Sequence, residues 1–171
     1  MAGNGATPRQ RKTKKASEPL FSGLLAFPDL LRSLNQREER PMKFYSNHRL
    51  ICWWPTGLVD RATVLWYYDQ LKACEWGNHA NRFCDFSAVT DFQFDHIGLK
   101  SLASHRKREL SDHQNINLVT RSSSALGFGM ARMYQAFMED WPINCYVESD
   151  LDRCAEILGV PVDYLLEPKA P

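Results

Sequence analysis

The stretch Arg82–Leu102, RFCDFSAVTDFQFDHIGLKSL, decides the fold, because a strand pattern gives way to a helix pattern inside it. Phe83, Cys84, Phe86 and Val89 form a short apolar strand, and Asp85, Ser87 and Thr90 put oxygen atoms at its carboxyl end. Asp91 and Asp95 carry the short acidic side chains that cap helices, and Leu99, Leu102, Ala103 and Leu110 follow at helical spacing. A buried strand therefore runs through a loop into a helix.

Upstream, KFYS, a turn-prone Asn47-His48 and RLICWW form an antiparallel hairpin, ended by Pro55 and Gly57. Alternation puts Leu50, Cys52 and Trp54 on one face of its second strand and Ile51 and Trp53 on the other, as in a strand covered on both sides. Asp60 caps a helix with a stripe of Val64, Tyr67, Tyr68, Leu71 and Cys74. Trp66 points almost opposite that stripe, which makes it a candidate partner contact, or else a Trp covered by the leader, by a second subunit or by nothing.

Downstream, the charged run HRKRELSDHQ reads as a solvated helix end, INLVT as a short buried strand, and ALGFGMARMYQAFMEDW as a helix. The stripe of that helix is Leu126, Met130, Met133, Tyr134, Phe137 and Trp141, a core pattern rather than a cofactor box. NCYVES is a last strand and DLDRCAEILG a last helix, ahead of a VPVDYLLEP tail. LGVPVDYLL echoes the end of some helix-turn-helix repressors, but no preceding helix pair supplies a recognition helix. Strands alternating with helices predict an α/β fold, a mixed, largely parallel sheet of about five strands with about four helices.

The central stretch resembles the STAS domain, the family of the anti-sigma-factor antagonists and of the cytoplasmic domains of sulfate transporters. Asp85-Phe86-Ser87-Ala88-Val89-Thr90 stands where that family has its strand end, and Asp95-His96-Ile97-Gly98-Leu99 where Asp-Ser-Ser-Gly-Leu opens a helix. A group of bacterial STAS-like proteins is more similar still, sharing a DLS-like strand end, an FGxARMY-like helix start (Phe128 to Tyr134) and a terminal D-x-x-x-A-x-x-L-G helix (Asp150 to Gly159). The likeness covers residues 43–160 and implies the SpoIIAA-like architecture and a regulatory, non-enzymatic role in protein-protein interaction. Asp85, Ser87, Asp95 and His96 would then form the partner or switch loop. The serine that the antagonists have phosphorylated is replaced by His96, or by Asp95 if the register slips by one, so Ser87 or Ser101 would have to substitute, or a partner kinase would have to act on the histidine.

Length and charge agree with one domain. The 171-residue chain has a net charge of +1, with 8 Lys/Arg against 4 Asp/Glu in residues 1–41 and 13 against 16 in residues 42–171. The first segment, MAGNGATPRQRKTKKASEP onward, is a basic leader whose composition predicts disorder, and 42–171 is the folded domain. RQRKTKK would serve as a nucleic-acid or anionic-lipid tether, or simply as a flexible tail. The mildly acidic body argues against nucleic-acid binding through the domain itself. LFSGLLAFPDLLRSL is too short, and too broken by Pro28 and Asp29, for a membrane span. The five cysteines stand singly, without a CxxC pair or zinc-finger spacing, and read as buried thiols in a reducing cytoplasm, with no metal and no cofactor expected.

Three function classes follow. The first is the interaction or regulatory module, with a protein partner or a second copy of the chain. The second is a small-ligand or lipid binder, as in the lipid-transfer proteins that share this fold, its anion or ligand site formed by Arg121, Ser122, Ser123 and Ser124 at a helix start with Phe128 and Arg132 one turn apart; ordinary N-capping by serine accounts for the same residues. The third is an enzyme, built from Asp85, Ser87, Asp95 and His96 with the serines at 122–124. Against it stand the lack of a G-x-S-x-G elbow and of a P-loop, and a GFG at 127–129 that lies inside a helix. The sequence is read as a non-enzyme.

Overall fold

The computed structural model describes residues 42–110 and 115–168, together with Met1. The leader, its basic run and its leucine-rich segment lie outside the described residues. The element order is β1 (Met42–Tyr45), β2 (Leu50–Trp53), β3 (Gly57–Val59), α1 (Arg61–Ala73), β4 (Asn81–Asp85), β5 (Val89–Phe92), α2 (His96–Glu109), β6 (Ile116–Arg121), α3 (Ala125–Met138), β7 (Ile143–Glu148) and α4 (Leu151–Leu158). Five strands form the main sheet in the order β1-β2-β4-β6-β7, with β1 antiparallel to β2 and every other pair parallel. The α/β class, the hairpin start and the mixed, mostly parallel sheet with four α-helices are as the sequence predicts. Among the described residues no helix is long and apolar enough to cross a membrane.

From β2 onward the parallel strands step across the sheet in one direction. Crossovers of a single hand then deliver α1, α2 and α3 to the same face. That face holds Ile51, Trp53, Cys84, Leu118 and Ile143 under Tyr67, Tyr68, Leu102, Ala103 and Met138. The other face holds Leu50, Cys52, Trp54, Phe83 and Val119, covered by Cys154, Ala155 and Leu158 of α4 and by Leu165. The alternation expected for β2 is therefore seen. The tail is part of this second layer rather than an appendage, since Trp54 Nε1 donates to Leu165 O at 2.9 Å.

Each helix starts on a side-chain cap. Asp60 accepts from Thr63 N, Asp95 from Gly98 N, Ser124 from Gly127 N and Asp150 from Arg153 N.

Four expectations need correction. Val89 does not continue the central strand. Asp85 Oδ1 accepts Ser87 N at 2.9 Å, a local turn that ends β4, and Val89 opens β5, which pairs with β3 in a separate two-stranded sheet. Asp91 accordingly lies within β5 and caps nothing, whereas Asp95 does cap α2. The stripe of α3 is as predicted at Tyr134, Phe137 and Trp141, which pack against the core, and at Met130, which lines the interior, but not at its start. Its buried residues are Gly127, Ala131 and Met138, with Tyr134 packed beside them, while Leu126 is 47% exposed. Small residues let α3 approach closely, because a Cβ on Gly127 would lie 2.3 Å from Ser122 Oγ. Finally, the charged run is not wholly a solvated end: Arg106 is fully buried, donating to Glu109 Oε2 at 3.1 Å and Asn78 Oδ1 at 3.0 Å.

Candidate functional site

The residues singled out from the sequence divide between the two faces of the sheet and its carboxyl edge. β4 sends Phe83 and Asp85 to the α4 side and Arg82 and Cys84 to the opposite side, as strand alternation requires. Asp85 meets Arg121 in parallel register, and Arg121 Nη1 donates to Asp85 Oδ2 at 2.8 Å. With Oδ1 already on Ser87 N, both oxygens of Asp85 are engaged, and Arg121 also donates to Ser149 O. The structure thus joins Asp85, Ser87 and Arg121, which the sequence assigned to two separate sites. Ser87 Oγ is buried with no hydrogen-bond partner.

Ser122 is buried, and its hydroxyl meets Ser124 Oγ at 3.4 Å, while Ser124 caps α3. The capping alternative therefore describes these serines, leaving Ser123 exposed. Asp95 spends its carboxylate on the α2 cap. Its bond from Gly98 N, with His96 adding to it, holds the Asp95 carboxyl below its ordinary value. His96 is exposed beside it, and Ile97, next in line, is 64% exposed. Phe128, 38% exposed, and Arg132 face outward from α3, where Arg132 donates to Gln135 Oε1 at 2.8 Å. Trp66 is half-buried and packed against the core, so it does not stand out from the surface as its position opposite the stripe predicted.

The site that sequence reading missed lies beneath the sheet. A cavity of about 70 Å³ sits between the sheet and α1, α2 and α3, roofed by β3 and β5. Its walls are largely aromatic: Trp53 stacks on Tyr67 with ring centroids 4.4 Å apart, Phe86 meets Trp53 at 6.1 Å and Phe92 at 5.5 Å, and Phe92 meets Phe94 at 5.7 Å. One cation stands in this wall. Arg82 is 2% exposed; among the described residues its Nε has no partner and its one hydrogen bond runs from Nη2 to Gly77 O at 3.4 Å. Among the described residues no carboxylate pairs with it.

Burial, and then Arg106 nearby, lower the Arg82 pKa to about 10, so the guanidinium stays charged at neutral pH. Tyr67, Tyr68 and Tyr134 bring hydroxyls to the same cavity, and burial raises the pKa of each, so all three remain neutral donors. Burial likewise pushes the Cys84, Cys145 and Cys154 thiols up to about 12, which keeps them protonated and poorly nucleophilic. All five cysteines are free. The signal for Arg82 was present in the sequence: an arginine directly before Phe83-Cys84, in a strand covered on both faces, has no route to water. Among the described residues no His, Cys, Asp and Glu cluster suits a metal ion.

No family model and no curated protein matches the chain.

Proposed function

We propose that this chain is a non-enzymatic regulatory module of STAS-like type, acting through protein-protein contact at the carboxyl edge of its sheet. The observation that carries the reading is the group of exposed apolar side chains at that edge. Ile97 in the first turn of α2 and Leu126 and Phe128 in the first turn of α3 face solvent on two helices that pack against each other, with Leu58 of β3 also exposed. Apolar residues gathered at one end of a fold are what a partner surface requires, since water is a poor neighbour for all of them together. The likeness of Asp85–Val89 and Asp95–Leu99 to the STAS strand end and helix start supports the same edge, and His96, next to Ile97, is exposed there.

Ser87 is a poor substitute for the family's phosphorylated serine, because its hydroxyl is buried. The contact is therefore read as one that works without a serine switch at that position.

The test is site-specific photo-crosslinking in the source cell, with a photoreactive residue at Ile97 or Phe128 and a control at Asp152 on α4. A discrete protein adduct from 97 and 128 and none from 152 is expected. No adduct from 97 or 128, or the same adduct from all three, overturns the reading.

A second reading, a small-ligand or lipid binder, is favoured by the cavity around Arg82. At about 70 Å³ the cavity is far smaller than the roughly 300 Å³ at which drug-sized pockets begin, so the lipid form of this reading loses ground and the small-ligand form keeps its support.

A further inference from the structure

The cavity around Arg82 has hydrogen bonds to give and no negative charge to give them to. Arg82 Nε–H is unpartnered. Tyr67 oxygen accepts from Cys84 Sγ at 3.7 Å, which leaves the Tyr67 O–H proton free to donate. Tyr68 and Tyr134 hydroxyls share one hydrogen bond at 3.3 Å, which leaves one of their two protons over. A buried guanidinium with no counter-ion among the described residues is a costly arrangement, and the other buried arginine, Arg106, has Glu109 as its own partner.

Everything left unsatisfied is a donor. The complement is an acceptor carrying negative charge, and a guanidinium fork matches the two coplanar oxygens of a carboxylate. Trp53 Nε1, also without a partner, adds one more donor, and apart from it and Thr120 the rest of the wall, with Phe86 and Phe92, is apolar and suits a hydrocarbon body rather than a phosphate's fully polar surface. The volume sets the size. About 70 Å³ is roughly half of a cavity that holds benzene, so the whole ligand, its carboxylate included, has on the order of three or four carbon atoms.

We propose that the chain binds a short-chain monocarboxylate in this cavity, its carboxylate on Arg82 and the tyrosine hydroxyls and its hydrocarbon against the aromatic wall. This goes beyond partner contact at the carboxyl edge and does not depend on it.

The test is thermal unfolding of the full 171-residue chain titrated with sodium propionate at constant ionic strength, beside sodium chloride and the neutral isostere propionamide. A saturable rise in Tm with propionate alone is expected, absent in Arg82→Met. No propionate-specific rise, an equal rise with propionamide, or an undiminished rise in Arg82→Met overturns the proposal. Should Arg82→Met not fold, the wild-type Arg82 Nε–H resonance decides: it moves on propionate addition if the carboxylate is held there, and a resonance that stays put while Tm rises places the binding elsewhere and overturns the proposal.

Discussion

Two buried arginines a short distance apart in the fold carry opposite lessons. Arg106 is neutralised: Glu109 bonds it at 3.1 Å, Asn78 takes a second donor, and its guanidinium lies 5.5 Å from the Tyr68 ring centroid. Glu109 in turn is gathered by Lys72 and His105. Burial alone would raise the Glu109 carboxyl, and the hydrogen bonds from Lys72 and Arg106 outweigh it, so its pKa falls below the ordinary 4.5. Its stabilising contribution is thus present above that value and lost as pH falls through the lowered one. Glu109→Ala leaves Arg106 charged and uncompensated in the core and should cost about 3 kcal/mol in urea unfolding at pH 7; a loss under about 0.5 kcal/mol would show that Arg106 finds another partner. Arg106 was not legible as buried, and Arg82, whose strand setting did signal burial, was passed over. One sits in a charged run whose composition reads as solvent, and the other at the edge of an apolar strand, where its charge looked like the strand's end.

At the scale of elements, the caps and strands were legible because their signals are local. Asp60, Asp95 and Ser124 need only the next turn to act, and each does. The β3–β5 pair was not legible. Its two strands have three and four residues and their pairing is set by a bulge near Gly57 and by the roof they make over Phe86, none of which leaves a periodic trace. The start of the α3 stripe was missed for a related reason: hydrophobicity weights Leu126 over Gly127, whereas close approach of the helix to Ser122 demands the residue without a Cβ. That cause makes opposite predictions for two glycines in one helix. Gly129→Ala meets nothing within 4 Å and should gain about 1 kcal/mol from helix propensity. Gly127→Ala drives a Cβ to 2.3 Å from Ser122 Oγ and should lose about 1 kcal/mol net, the propensity gain being outweighed by overpacking. Denaturant midpoints of the two variants, compared at equal slope, check both signs.

For the whole molecule, one sheet separates two kinds of place. The α4 face is closed: the Asp85–Arg121 pair, the Trp54–Leu165 bond and the packed tail leave it, among the described residues, without a buried unpaired charge. The opposite face keeps a small cavity with a lone cation, and the carboxyl edge above it keeps its apolar side chains in water. Topology was legible because the alternation of strand and helix fixes which face each crossover covers. The sites were less so, since Asp85 and Arg121 were assigned to different functions and prove to be each other's partners, while the cavity residues read simply as core. Partner contact at the carboxyl edge is open to direct measurement. Native mass spectrometry of the full chain purified gently from its source cell, beside an Ile97→Ser/Phe128→Ser double variant, tests it most directly. A second protein or a second copy should be bound to the wild type, and the variant should fly as a bare chain. A bare wild-type monomer, or a variant that keeps the complex, would contradict it.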